Sequence, residues 1–191
     1  MLYTPTVPKS VQVPGAQTER WDADLVALHY MQSRLLDFLS RAEPPQGGDR
    51  WATLYLPEPR QRCHRVVLLD STGFQPGEQR TFVGFFGQKR PEVDGRVLDA
   101  LDEELIAELY DYPALLSYSS LERADGSWGN LVLLRGPEGI AQWANSVRHA
   151  YAAQEVAPRC YTSIRLHIGT LTLGAPAHEA LRVSRTKVFE F

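Results

Sequence analysis

From residue 80 to residue 172 the apolar positions follow two rhythms, one repeating every second residue and one every third or fourth. The first marks buried or half-buried strands, the second amphipathic helices. "TFVGFFG" (81–87) has the strand rhythm, with Phe82 and Phe86 on one side and Val83 and Phe85 on the other. "VLDALDEELIAELYDY" (97–112) has the helical one. Val97, Leu98, Leu101, Leu105 and Leu109 gather on one stripe with acids opposite, Asp94 suits the N-cap, and Pro113 is a stop. "ALLSYSSLE" (114–122) reads as a strand, and Asp125-Gly126 is the pair a tight type I′ hairpin turn favours, so "NLVLLRG" (130–136) returns antiparallel. Pro137 suits a first helical residue, because its missing N–H costs nothing there. The helix runs to about Val156 with Ile140, Trp143, Ala144, Val147 and Tyr151 along one side. After Pro158, "YTSIRLHIGTL" (161–171) alternates again: Ile164, Leu166 and Ile168 on one face, Arg165, His167 and Gly169 on the other.

The order is β-α-β-β-α-β, which predicts an α+β, ferredoxin-like antiparallel sheet with both helices on one face. Before it, residues 1–19 carry Pro5, Pro8 and Pro14 without any period and read as an extended arm. Residues 20–75 form an N-terminal α-β-β extension. Its helix spans Asp22 to about Arg41, with Leu25, Leu28, His29, Leu35, Leu36 and Leu39 largely on one stripe, and "EPPQGGD" ends it. Its strands are "WATLYL" (51–56) and "CHRVVLL" (63–69). The main domain is 80–191, with "ALRVSRTKVFEF" (180–191) as one more strand, at an edge or exchanged with a partner. "TFVGFF" and "NLVLL" are apolar on both sides, and a strand of that kind needs a cover on each face. Helices supply one cover. The other is either the N-terminal hairpin or a second copy of the sheet in a symmetric homodimer.

Composition narrows the function classes. At 191 residues, 43% hydrophobic and 23% charged, the chain is long enough for one domain with a real core. A net charge of −3 gives no electrostatic case for nucleic acid or for an anionic membrane. No apolar run reaches the roughly 18 residues a spanning helix needs, and the N-terminus does not read as a signal peptide. Cys63 and Cys160 stand far apart without CxxC spacing, so they read as reduced packing residues and the expected compartment is the cytoplasm. The chain has no Walker A, GxGxxG, GxSxG, HxH or HExxH pattern. No metal site is expected, and the acids of the 97–112 helix read as a solvated face.

"LVLLRGPEGIAQWANSVRHAYA" (131–152), a strand followed by a helix with a mid-helix tryptophan and a histidine six residues on, resembles the second helix of the dimeric α/β-barrel superfamily. That group holds antibiotic-biosynthesis and haem-degrading monooxygenases, and the resemblance covers residues 80–172. It implies a pocket between helices and sheet, a homodimer, and a small apolar or anionic ligand. It also implies either a haem-using or cofactor-independent monooxygenase or a non-catalytic binding protein of the same fold. Trp143 is then a pocket wall or a core residue, and Tyr118 and Asn145 are polar groups able to orient a ligand. The resemblance nominates His149 as a haem ligand or polar pocket contact. On a regular helix, however, nine steps of about 100° from Ile140 place it opposite the apolar stripe, in solvent. Arg165 and His167 share one strand face. Either Arg165 pairs with a carboxylate and His167 hydrogen-bonds nearby, or Arg165 anchors an anionic group and His167 serves as polar contact or base. His29 and His64 read as buried structural residues and His178 as solvated.

Overall fold

The computed structural model of the chain describes residues 10–14, 22–41, 52–59, 62–123 and 127–191. Among them, eight strands form one open sheet: β1 (Ser10–Pro14), β2 (Ala52–Pro57), β3 (Cys63–Leu68), β4 (Gln79–Lys89), β5 (Leu115–Glu122), β6 (Trp128–Leu134), β7 (Tyr161–Thr172) and β8 (Leu181–Glu190). Their order is β1-β8-β7-β4-β6-β5-β3-β2, and every neighbouring pair is antiparallel. Helix α1 (Asp22–Arg41) precedes β2, and α2 (Gly95–Glu108) joins β4 to β5. Helices α3 (Glu138–Ala144), α4 (Val147–Tyr151) and α5 (Ala157–Cys160) join β6 to β7, and the short α6 (Ala177–Ala180) precedes β8. The protein is therefore α+β, built on one antiparallel sheet.

Two expectations change at the sheet margin. Within the 1–19 arm, Ser10–Pro14 is a strand paired with β8, Val11 opposite Val188. β8 is consequently not an edge strand; it lies between β1 and β7. The rest of the arm, the "EPPQGGD" breaker, Trp51, the Asp125-Gly126 turn and the side chain of His178 lie outside the described residues.

Adjacent residues of β3 show how the layers divide. Val66 packs into a cluster with α1, whereas Val67 packs into a cluster with Trp143 of α3. Helices α2 and α3 thus cover one face and α1 the other. The second face, which the sequence assigns to a hairpin or a second copy, is closed by α1 of the same chain. The β2–β3 hairpin instead widens the sheet at its edge. Leu28, Met31 and Leu35 repeat at helical spacing, are fully or almost fully buried, and meet Phe82, Phe86, Leu131 and Leu133. Each such side chain contributes about 2–3 kcal/mol by leaving water. Close approach depends on Gly84 in mid-β4: a Cβ there would stand 2.7 Å from a methyl of Leu28.

Polar groups fix where α1 lies. Asp24 is 3% exposed, and Arg165 grips it from β7, with Nε donating to Oδ2 at 2.6 Å and Nη2 to Oδ1 at 3.0 Å. Arg123 adds Nη1 to Oδ1 at 3.3 Å while its guanidinium lies 5.4 Å above the Phe86 ring. His167, 1% exposed, sets Nε2 3.1 Å from Oδ2 of Asp24 and Nδ1 2.9 Å from the Thr186 hydroxyl. A carboxylate only accepts, so Nε2 carries the proton of that bond. Further along α1, Tyr30, Arg34 and the wholly buried His64 converge on Glu58 at the β2–β3 connection. Burial alone would raise the Asp24 pKa. The hydrogen bonds from His167 and Arg165, together with the Arg165 charge, outweigh it and hold the carboxyl below its usual range.

A depressed folded-state pKa means that Asp24 contributes fully above the unfolded carboxyl value of about 4. That contribution is lost as pH falls through the lower folded value. Asp24→Asn removes the charge that Arg165 and Arg123, both half-buried, share. It should lower stability by about 3 kcal/mol at neutral pH in urea denaturation and remove this part of the acid sensitivity. With both faces covered within one chain, sedimentation velocity should return a single-chain mass of 21.5 kDa; twice that mass would show that another surface pairs.

Candidate functional site

A cavity of about 330 Å³ lies between the sheet and the helical layer on the face away from α1. Its floor follows from strand alternation. Ile164, Leu166 and Ile168 of β7, Val83 and Phe85 of β4 and Val132 of β6 point into it. Its roof is Leu98, Leu101 and Leu105 of α2, with Trp143, His149 and the small Ala152, Ala153 and Ala157 from the α3–α5 segment. This explains a departure from the α2 stripe. No residue of α2 is fully buried, because its leucines border a space and not a packed core, and Val97 is 53% exposed.

The helix after β6 is not continuous. It ends at Ala144, and Ser146 caps a new start by accepting from the His149 N–H at 2.8 Å while donating to Glu108 of α2 at 2.9 Å. A π-helical stretch, Ala152–Val156, then leads into α5. The break resets the phase. His149, expected in solvent, turns to the cavity with its ring 4.7 Å from that of Trp143, while Val147 and Tyr151, expected on the apolar stripe, are exposed. Trp143 also meets the Tyr118 ring edge-on at 6.4 Å, and its buried Nε1 has no hydrogen-bond partner among the described residues. Burial lowers the pKa of His149, with the Glu108 charge opposing it, so the imidazole in this wall is neutral at pH 7.

One polar cluster lines the cavity. Tyr118 donates to Asp102 of α2 at 2.9 Å and accepts from the Asn130 amide at 2.8 Å, so its hydroxyl is satisfied in both senses. Arg65 of β3 pairs with the other Asp102 oxygen and lies 3.4 Å from Ser120 across the strand pair. Burial, then the charge of Asp102 and its hydrogen bond, push the Tyr118 phenol well above its ordinary pKa, so it stays a proton donor. Tyr161 also lines the cavity; burial raises its phenol, and its ring stands edge-on to Phe85 at 5.7 Å.

Of the residues singled out from sequence, Tyr118, Trp143 and His149 line this space. Asn145 does not; it is exposed at the helix break. Arg165 and His167 face away from the cavity and are committed to Asp24, the first of the two arrangements read from sequence and not the anion anchor and base of the second. Three residues of the polar cluster lay unread. Asp102 follows Leu98 by four positions and precedes Leu105 by three, which puts it beside the apolar stripe and not on the solvated face. Asn130 shares the β6 face of Val132, and Arg65 the β3 face of Val67; strand alternation alone could have placed both.

Among the described residues no group of three or more His, Cys, Asp or Glu gathers in a way that could hold a metal ion. Comparison of the chain with protein-family models, with curated proteins and with solved structures returns no match. The geometry alone therefore carries the functional argument. Tyr118→Phe removes the oxygen that joins Asn130 to Asp102 and should lower stability by about 1 kcal/mol in urea denaturation. An unchanged midpoint would mean the cluster is not formed in solution.

Proposed function

We propose that this protein binds a small, largely apolar molecule in the cavity between its sheet and helices α2–α5. The supporting observation is the cavity itself: aliphatic and aromatic walls, with Asp102, Tyr118 and Asn130 as a compact polar cluster on one side. Small-molecule sites have this composition, mostly apolar with a few placed polar groups, and volumes of roughly 300–1,000 Å³. The cluster suits recognition. Tyr118 is held by two partners, while Asn130 retains its carbonyl oxygen and a second N–H for a ligand.

We further propose that β4, α2, β5, β6, α3–α5 and β7 form a ferredoxin-like unit of the kind found in the dimeric α/β-barrel superfamily. In favour stand the sequential order of these elements, the strand order β7-β4-β6-β5 and the shared face of the intervening helices. An enzymatic version, a cofactor-independent monooxygenase, has one specific point in its favour: His149 borders the cavity as a neutral imidazole able to accept a proton from a bound substrate. Haem does not fit the residues present. The volume is at the bottom of the ligand-site range, and His149, which would have to coordinate the iron, has its ring against Trp143. A planar macrocycle held by His149 would need that side of the cavity opened first.

Calorimetric titration with neutral 2-naphthamide should give saturable binding to the wild-type chain. Leu166→Trp fills the floor of the cavity and should weaken that binding at least ten-fold while keeping a cooperative thermal transition. Absence of wild-type binding up to millimolar concentration, or binding indifferent to Leu166→Trp, would remove the reading.

A further inference from the structure

Several half-buried cations of this protein are matched by carboxylates. Arg123 and Arg165 share Asp24, Arg65 takes Asp102, Arg34 takes Glu58, and Arg80 takes Glu78. Arg62, Lys89 and Arg90 donate instead to backbone carbonyls, which leaves Arg185 and Lys187. They stand two residues apart on β8, so their side chains leave the same face of the sheet. Their cross-strand neighbours on β7 are Ile168 and Leu166, both in the cavity floor. Both cations line the cavity, both are half-buried, and neither has a carboxylate partner among the described residues.

The charge balance of the site follows. Asp102 is the one acidic residue lining the cavity among those described, and its two oxygens are taken by Tyr118 and Arg65. Arg65 and Asp102 cancel, which leaves two positive charges beside an apolar wall. Removing such charges from water is costly without a counter-ion. The same alternation continues to Phe189 of β8 and to Phe191 just after it, which also line the cavity, so the cations border an aromatic surface. Asn130 and Tyr118 lie on β6 and β5, separated from β8 by β7 and β4. The site has a cationic end and a neutral hydrogen-bonding end with hydrocarbon between them.

We infer that the ligand is an organic monoanion: a compact apolar body bearing a carboxylate-type group held by Arg185 and Lys187. The inference rests on the ligand-binding reading above and adds the charge of the ligand to it. Size is bounded by the cavity. At a water's share of roughly 30 Å³, 330 Å³ accommodates on the order of a dozen non-hydrogen atoms, so a fused-ring acid or a medium-length aliphatic acid is of the right scale.

The test compares 2-naphthoate with 2-naphthamide, which have the same shape and the same number of non-hydrogen atoms and differ in charge. The wild-type chain should bind 2-naphthoate about ten-fold more tightly, the scale of one charge-assisted hydrogen bond. Raising sodium chloride from 0.05 to 0.5 M should weaken the naphthoate and leave the amide unchanged. In Arg185→Gln and Lys187→Gln, measured singly, amide binding should persist while the preference for the acid shrinks. Equal wild-type affinity for acid and amide overturns the anion assignment and leaves the cavity reading standing. So does a preference that survives in both variants. Failure of the wild-type chain to bind either compound overturns both.

Discussion

β4 presents Phe82 and Phe86 to one side of the sheet and Val83 to the other, all of them buried, and both sides must be shut from water. That requirement organises the molecule into three layers. The helices that follow β4 and β6 close one side, and α1, arriving from the start of the chain, closes the other. Hydrophobic burial supplies the attraction but no direction. Direction comes from Asp24, whose two oxygens meet Arg165, Arg123 and His167 and so locate the first turn of α1 over β7 and the end of β5.

The two sides are finished differently, and the difference accounts for the site. Under α1 the packing is continuous: leucine and methionine meet phenylalanine, a glycine in β4 lets the helix approach, and Asp24 is paired with Arg165, Arg123 and His167. Under α2 the packing stops short. Three leucines of α2 roof a space in place of filling one, and alanines along the α4–α5 segment leave room below them. Neither α2 nor α4 buries a residue completely, so the helical layer on this side rests on the sheet through partly buried side chains.

The break between α3 and α4 is a small feature with a large consequence for the site. Were the segment one regular helix, His149 would face solvent and the wall beside Trp143 would lack its titratable group. Ser146 restarts the helix through its own hydroxyl, and Glu108 of α2 accepts a hydrogen bond from that hydroxyl, so the phase of α4 and the position of α2 are set together. The imidazole, the indole and the Tyr118 ring then form one continuous aromatic side of the cavity.

What could be read from the residues alone was what depends on neighbours along the chain. Element order, strand alternation and the orientation of "YTSIRLHIGTL" follow from local period, and the pairing of Arg165 with a carboxylate was one of two readings that period allowed. The identity of that carboxylate did not follow, since Asp24 lies 141 residues away and nothing local distinguishes it from Asp22. The cover on the second face was misplaced for a similar reason: amphipathicity says that α1 has a partner surface but not which one. The acids of α2 looked like a solvated run, yet Asp102 faces the cavity because Arg65 and Tyr118 stand opposite it on β3 and β5. Periodicity fixes which way a side chain points; only the docking of distant layers decides what it points at.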